Sequence, residues 1–175
     1  QILQSVYRSS ITDGLTNLYN RRYFMSRLEQ ILKTGRPVGA IFCDIDNFKK
    51  LNDTQGHHKA DGVLKQVSAL LTEETEGNGL SGRYGGEELV AFVAGPASAV
   101  AQAAENIRSR TEKETIVTVS VGYSMFSPGE TAESLMKQAD QAMYHSKTNG
   151  KNRVTDYASI RKSGGLTPSR QRKEG

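Results

Sequence analysis

The pattern of apolar segments predicts an α/β protein, an α+β sandwich with one central, mostly antiparallel five-stranded sheet and flanking helices. Short apolar runs alternate with longer segments of helical periodicity, in the order strand, helices, two strands, helix, strand, helix, strand. The two middle strands are separated by a short turn at Gly85-Gly86, which is typical of a β-hairpin. Hairpin-joined strands with helices packed on one face favour this sandwich over a doubly wound parallel sheet.

The N-terminal region predicts the end of one helix and the whole of another. Residues 1–10 have helical apolar spacing but are too short to be stable alone, so we expect the last turns of a helix that enters from an upstream segment. A turn at Asp13-Gly14 follows. Either Thr16 or Asn20 can cap the next helix, which ends at Gly35.

Turn residues divide the rest of the chain into strands and helices. The run 38–43 is almost continuously apolar, as in a central strand that is covered on both faces. In chain order we predict a strand over 38–43, a helix over 60–74, a loop over 76–79, a turn over 83–88, a strand over 89–93, a helix over 97–113, a strand over 116–126, a helix over 131–148 and a last short strand from Val154.

Length and composition indicate one globular domain. The chain has 175 residues, 36% hydrophobic and 24% charged, and no apolar run approaches the length of a membrane span. The single cysteine, Cys43, excludes a disulfide framework and fits a reducing cytoplasm. We therefore expect a cytoplasmic domain without direct membrane insertion, although a further N-terminal part could tether the full-length protein to a membrane.

The excess positive charge is confined to the C-terminal end. The net charge is +4, and residues 161–175 carry five basic side chains and one acidic side chain, so the preceding residues are neutral overall. A short basic segment with Gly, Ser and Pro is typical of a disordered tail. We therefore predict no nucleic-acid partner.

Two pairs of acidic residues stand where carboxylates are costly without a partner. Asp44 and Asp46 end the first predicted strand, and Glu87 and Glu88 follow the glycine pair. A glycine pair permits positive φ and lets a ligand approach the backbone. If the two strands are neighbours, the acids converge at one rim of the sheet and suit Mg²⁺ with substrate phosphates. A tight hairpin with solvated acids is the alternative for the glycine-acid motif alone.

Amides and cations close to the first acids favour a polyphosphate ligand. Asn47, Phe48 and Lys49 start the next helix, where backbone N–H groups and a lysine can bind phosphate. Lys147 and Lys151 can add positive charge from another side. Acids and cations together predict a site for a nucleoside triphosphate.

Several short motifs occur in order along most of the chain. They are Asp13-Gly14-Leu15-Thr16, Asn20-Arg21-Arg22, Asp44-Ile45-Asp46-x-Phe48-Lys49-x-x-Asn52-Asp53, Gly56-His57 with Asp61, Arg83-Tyr84-Gly85-Gly86-Glu87-Glu88, Ser120-Val121-Gly122, Ala139-Asp140-x-Ala142-Met143-Tyr144 and Lys147. Together they resemble the GGDEF domain, the diguanylate cyclase family, over residues 12–155. The resemblance implies a ferredoxin-like sandwich of the nucleotidyl cyclase type.

The resemblance also implies an activity. Members of the family condense two GTP molecules into cyclic di-GMP and release pyrophosphate, with one GTP in each of two facing domains. The implied cofactor is Mg²⁺, with Mn²⁺ as a substitute, at two ions per active site. The implied partners are GTP, a second GGDEF subunit in a homodimer and an upstream sensor or dimerisation domain.

Individual roles follow from the same resemblance. Asp44, the carbonyl of Ile45 and Glu87 correspond to metal ligands, and Lys49, Glu87 and Glu88 to catalytic residues, with Glu88 open as base, ligand or organiser. The substrate-binding positions are Asn47, Phe48, Asn52, His57, Asp61, Gly85, Gly86, Lys147 and Lys151, of which Asn52 and Asp61 read the guanine edge. For Asp46 and His57 we favour structural roles.

The chain departs from the family pattern at three places. Leu89 stands where phenylalanine is usual, and because this side chain packs inward we expect only a small repacking. Lys151 stands where arginine is common, so phosphate meets a point charge in place of a bidentate group. The Arg-x-x-Asp motif that binds product in the family is replaced by residues 76–79, Glu-Gly-Asn-Gly, so we expect no product-inhibition site.

Three interpretations compete. The chain is an active cyclase, a catalytically silent GGDEF domain that regulates by binding nucleotide or partner proteins, or a related nucleotidyltransferase with another product. The active cyclase is favoured because none of the key positions is damaged, namely Asp44, Lys49, Asn52, Asp61 and Glu87. We expect residues 1–11 to end an upstream helical linker, 12–157 to form the catalytic domain and 158–175 to form the basic, disordered tail.

Overall fold

The structure, a computed structural model, describes residues 2–162. In chain order its elements are α1 (Ile2–Ile11), α2 (Arg21–Leu32), β1 (Val38–Ile45), α3 (Phe48–Thr75), β2 (Gly79–Arg83), β3 (Glu88–Ala94), α4 (Ala97–Glu114), β4 (Val119–Met125), α5 (Ala132–Thr148), β5 (Arg153–Asp156) and α6 (Tyr157–Lys162). None of the helices in this range has both the length and the apolar character that crossing a membrane requires.

The five strands form one sheet in the order β2-β3-β1-β4-β5. β1 lies at the centre and pairs antiparallel with both β3 and β4, and β2 pairs antiparallel with β3. The edge strand β5 runs parallel to β4. This arrangement confirms the predicted mostly antiparallel five-stranded sheet with flanking helices.

Helices cover both faces of the sheet, so the expectation that they pack on one face is wrong. Every residue of β1 is buried, and its side chains alternate between two cores. Ile41 and Cys43 pack with α3 and α4, whereas Ala40 and Phe42 pack with α2 and α5. The continuous apolar run in β1 was the available signal, because a strand buried on both faces shows no polar alternation.

Two elements have bounds that differ from the prediction. The helix expected over 60–74 and the helix start expected at residues 47–49 belong to one element, α3, which begins at Phe48 and is interrupted by a kink at Gly56 (φ 86°, ψ 164°). The strand expected over 116–126 is shorter. Its pairing with β1 starts where Val119 lies opposite Ile45, and Ile116 is 59% exposed. β-Branched residues favour an extended chain, but a ladder also needs a partner strand.

The two ends of the described chain pack differently. α1 has no buried residue, and Ile2 and Leu3 are exposed. At the other end α6 follows β5 directly and buries Ile160. Residues 158–162, which the sequence analysis placed in a disordered tail, are therefore helical, and the rest of that predicted tail lies outside the described residues.

A close approach between α5 and β4 fixes the helix that carries Lys147. A Cβ atom at Gly122 would clash with the backbone nitrogen of Met143 and lie 2.5 Å from the carbonyl oxygen of Ala139. Both are backbone atoms of α5 and cannot yield without moving the helix, so a side chain is excluded at Gly122.

Candidate active site

The end of β1 and the hairpin meet at one rim of the sheet. β1 and β3 pair so that Asp44 lies opposite Glu88, and the N–H of Ile45 donates to the carbonyl oxygen of Glu87 at 3.3 Å. Asp44 and Glu88 are buried, whereas Glu87 is half-buried. Leu89 is fully buried, which confirms its expected inward packing. Antiparallel pairing thus brings together the acids of two motifs that are distant in sequence.

The turn between β2 and β3 is held by hydrogen bonds across it. The N–H groups of Tyr84 and Gly85 donate to the carbonyl of Glu88 at 2.8 and 3.3 Å, and Arg83 donates to the carbonyls of Gly85 and Gly86. Neither glycine has a positive φ, so that part of the expectation is wrong. A Cβ at Gly85 would clash with the Glu88 carboxylate, whereas the space at Gly86 is open. Small size is therefore required only at Gly85, and only while the Glu88 carboxylate keeps this position.

Arg83 also ties the hairpin to the N-terminal turn. Its Nη1 donates to both carboxylate oxygens of Asp13 at 3.1 Å, and Thr16 donates to Asp13 through its N–H and its hydroxyl. Partial burial is the largest influence and raises the pKa of Asp13, but the Thr16 hydrogen bonds and the Arg83 charge together outweigh it and lower the pKa. Asp13, Thr16 and Arg83 belong to two separate sequence motifs, and no pattern in the sequence predicted that the motifs touch.

The ammonium group of Lys147 contacts oxygen atoms of Asp44 and Ile45, the two neighbouring residues that were predicted to be metal ligands. Its Nζ lies 2.5 Å from Asp44 Oδ1, 3.4 Å from the carbonyl oxygen of Ile45 and 3.9 Å from Asp46 Oδ1. The side chain of Lys147 is 25% exposed and that of Asp44 only 1%. A cation is therefore already favoured where the carboxylate and the carbonyl converge.

The acids of the site fit a divalent metal in combination with substrate oxygens. Within residues 2–162 no group of three or more His, Cys, Asp or Glu side chains is placed to hold a metal ion. Mg²⁺ typically takes one or two protein carboxylates and completes its octahedron with waters and phosphates. Asp44, the Ile45 carbonyl and Glu87 are the donors at this rim that would hold such an ion.

Asp46 has the structural role that the sequence analysis favoured. Its Oδ1 accepts from the hydroxyl of Ser120 at 2.6 Å, and its Oδ2 accepts from the hydroxyl of Thr118 at 2.7 Å and from the N–H of Asn152 at 3.0 Å. The residue is buried. Its carboxylate therefore joins β1 to β4 and to the segment that follows α5.

The start of α3 forms the side of the site assigned to phosphate. Asn47 precedes the helix with a left-handed backbone (φ 57°), and its Oδ1 accepts from Lys151 Nζ at 2.7 Å. Phe48 packs partly into the core and Lys49 is exposed. Because the first N–H groups of a helix lack partners within the helix, this end suits an anion.

The two residues assigned to guanine, Asn52 and Asp61, lie on either side of the kink in α3, and His57, which was assigned to substrate binding in general, lies next to it. Asn52 precedes Gly56, and His57 and Asp61 follow it. His57 is exposed and Asp61 is half-buried. In the part of the chain that the structure describes, Asn52 Oδ1 is buried without a hydrogen-bond partner. A buried acceptor without a donor is costly, which fits a position that a ligand completes.

The amino-acid sequence is similar to those of known proteins. The family model described as "Diguanylate cyclase, GGDEF domain" matches residues 10–153. Response regulator PleD of Caulobacter vibrioides is 39% identical over 167 residues, covering 85% of this chain and 36% of PleD. Diguanylate cyclase A of Treponema denticola is 37% identical over 161 residues, covering 82% of this chain and 43% of that protein. The chain thus spans less than half the length of these two relatives.

The fold is shared as well. The coiled coil and GGDEF domain of DgcB from Caulobacter crescentus, crystallised in complex with c-di-GMP, matches with a TM-score of 0.84 and 34% sequence identity over 89% of this chain and 90% of that chain. Sequence and fold therefore agree over the same range that holds the paired strands, the hairpin and the lysines. The chain belongs to the GGDEF domain family.

Proposed function

We propose that this domain is a diguanylate cyclase, which condenses two GTP molecules into cyclic di-GMP and pyrophosphate. The observation that carries the proposal is the pairing of β1 with β3, which brings Asp44, the Ile45 carbonyl and Glu87 to one rim. A lysine ammonium group already lies on two of these donors. Positive charge in this position stabilises the charge that develops on a phosphate during transfer. A relative that is named diguanylate cyclase supports the same activity.

In the proposed reaction each 3′-hydroxyl attacks the α-phosphorus of the GTP in the facing domain. A new P–O bond forms, the bond from the α-phosphorus to the oxygen bridging to the β-phosphate breaks, and pyrophosphate leaves. Glu88 is the candidate acceptor of the hydroxyl proton. Two Mg²⁺ ions per site, or Mn²⁺, held by Asp44, Ile45 and Glu87, would activate the hydroxyl and neutralise phosphate charge.

The lysines have distinct places in this proposal. Lys49 and Lys151 lie at the start of α3 and beside Asn47, where they bind the triphosphate together with the N–H groups of Asn47 and Phe48. Lys147 contacts Asp44. With Asp44 holding a metal ion, the ammonium group of Lys147 would be available to phosphate.

Guanine is selected by the residues around the kink in α3. Asn52 has a buried acceptor without a partner, which supports a donor from the base. Asp61 follows on the same helix as a half-buried carboxylate that accepts from guanine N–H groups. Adenine lacks the matching donors, so the site would leave buried groups unpaired with ATP.

Catalysis requires a second copy, because one domain holds one GTP. α1 has no buried residue and carries the exposed apolar side chains Ile2, Leu3, Val6 and Tyr7. A helix this short does not hold a dimer by itself. Specific activity should therefore rise with protein concentration, or when a dimeric coiled coil is fused before α1. A constant specific activity across a wide dilution series would contradict this step.

Product feedback should be weak, because residues 76–79 lack both the arginine and the aspartate of the usual product site. Glu76 places a negative charge there instead, and Arg83 is engaged by Asp13. A cleft of about 550 Å³ beside Gly79 is lined by two cations, Arg27 and Arg36. Calorimetry with cyclic di-GMP, after a non-hydrolysable GTP analogue has filled the active site, should detect no tight binding. Submicromolar binding that is lost in Arg27→Ala or Arg36→Ala would contradict the proposal.

In the presence of Mg²⁺ the purified domain should convert GTP into a product with the mass of cyclic di-GMP and release pyrophosphate. Chelation of the metal should abolish this activity. Mass spectrometry of the product distinguishes the three interpretations. GTP binding without turnover at any concentration would favour the silent regulatory module. A different nucleotide product would favour a related nucleotidyltransferase.

A further inference from the structure

The segment that follows α5 has a backbone that needs outside support. Lys151 (φ 60°) and Asn152 (φ 46°) are consecutive non-glycine residues in the left-handed region, directly after Gly150. Each such residue costs free energy, and the conformation persists only where neighbouring groups hold it. We call residues 150–152 the left-handed turn. The groups that contact this turn therefore determine the position of Lys151.

Two hydrogen bonds donated by backbone N–H groups hold the left-handed turn. The N–H of Lys151 donates to the carbonyl of Ser146 at 3.0 Å, and the N–H of Asn152 donates to Asp46 Oδ2 at 3.0 Å. Asp46 is itself fixed by the hydroxyl groups of Ser120 in β4 and of Thr118 just before that strand. The backbone of the turn is thus anchored to the strand next to the site.

The side chain of Asn152 is held from α4, at both ends of its amide. Its Oδ1 accepts from Arg108 Nη1 at 2.9 Å, and its Nδ2 donates to Glu112 Oε2. Arg108 is in turn fixed by Glu105 at 2.5 Å and lies 3.7 Å from Glu112. Its side chain is only 18% exposed, so the guanidinium is a well-held donor. α4 contributes no residue to the proposed site, yet its side chains hold the left-handed turn through hydrogen bonds to Asn152.

The turn determines where the Lys151 side chain stands. Lys151 Nζ lies 2.7 Å from Asn47 Oδ1, at the start of α3 where phosphate is proposed to bind. We propose that Arg108 is a positioning residue for phosphate binding, which acts through Asn152 to hold the left-handed turn that presents Lys151 to the triphosphate. The inference rests on the proposed function to the extent that Lys151 binds phosphate.

A double-mutant cycle tests this coupling by calorimetry with a non-hydrolysable GTP analogue and Mg²⁺. Arg108→Ala should weaken binding about tenfold, the order expected when an enforced backbone conformation is released. In a Lys151→Ala background the same change should have little further effect, because the side chain it positions is gone. The control is Arg110→Ala on the same helix, which loses ion pairs to Glu73, Glu74 and Glu114 remote from the turn and should bind the analogue normally.

Substitutions at Asn152 test the turn without altering the charges of α4. Asn152→Gly should retain more affinity than Asn152→Ala, because glycine adopts the left-handed backbone at little cost. An Arg108→Ala loss of equal size with and without Lys151, or an equal loss in Arg110→Ala, would overturn the inference while leaving the proposed function intact. A wild-type domain that does not bind the analogue would overturn both.

Discussion

The variant Lys147→Met tests whether the lysine and a divalent metal compete for Asp44. Methionine keeps the unbranched length of lysine and removes its charge. Asp44 is 1% exposed, and its Oδ1 lies 2.5 Å from Lys147 Nζ. The variant therefore removes the ammonium partner of a buried carboxylate and, at the same time, removes the cation that would compete with a metal for it.

The cost to the metal-free domain can be worked from this geometry. Breaking a buried ion pair by removing one partner costs about 3–5 kcal/mol. Because the Lys147 side chain is 25% exposed, water screens the pair in part. We therefore expect a loss of about 2–3 kcal/mol, which corresponds to a decrease in Tm of about 5–10 °C for a domain of this size.

Thermal or urea unfolding with and without Mg²⁺ measures the competition. Mg²⁺ should stabilise Lys147→Met more than the wild type, because the ion takes the place of the missing ammonium group without having to displace it. Lys151→Met is the matched control, since Lys151 Nζ contacts the neutral Asn47 side chain and its removal should not change the response to Mg²⁺. Equal stabilisation of wild type and Lys147→Met would refute a competition between Lys147 and the metal for Asp44.

The hairpin, the guanine residues and the N-terminal turn give three further tests. Glu87→Gln should lower cyclic di-GMP formation by about 10²–10³-fold without unfolding the domain, since it removes a charge that holds the metal; near-normal turnover would contradict its role as a ligand. Asp61→Ser should lower the preference for GTP over ATP in kcat/KM by about 10- to 100-fold, the equivalent of about 1–3 kcal/mol for unpaired donors; an unchanged ratio would exclude this contact. The pKa of Asp13 is lowered in the folded state, so its contribution to stability is present above the unfolded pKa of about 4 and is lost as the pH falls through the folded value. The free energy of unfolding should therefore decline less on acidification in Asp13→Asn than in the wild type, and identical pH profiles would show that the Asp13–Arg83 pair contributes nothing.

Some features of the site could be predicted because they belong to one element or to two paired strands. The apolar run 38–43 predicts a central strand, and Asp44 at its end follows directly from the spacing. The hairpin at Gly85-Gly86 predicts that β2 and β3 are adjacent. Whether β3 then lies beside β1 was a condition in the sequence analysis, and the sheet order satisfies it.

Other features could not be predicted because equivalent patterns fit more than one geometry. A glycine pair is compatible with a backbone of positive φ or with a crowded turn. In this structure neither glycine has a positive φ, and Gly85 is crowded by the Glu88 carboxylate. The position of that carboxylate depends on how β3 pairs. The hairpin-joined strands favoured helices on one face, whereas the apolar run in β1 already predicted a strand covered on both faces. The full burial of β1 excludes helices on one face only.

The sequence by itself determined the family, the mostly antiparallel sheet and the local chemistry of each motif, because these depend on residue type and on spacing within single elements. Only the tertiary structure decided which motifs touch. It places Lys147 on Asp44, 103 residues away, and it joins Asn152 to both Asp46 and Arg108. Contacts of this kind are set by the packing of α4 and α5 against the sheet, where side chains from distant segments meet, and no local periodicity encodes them.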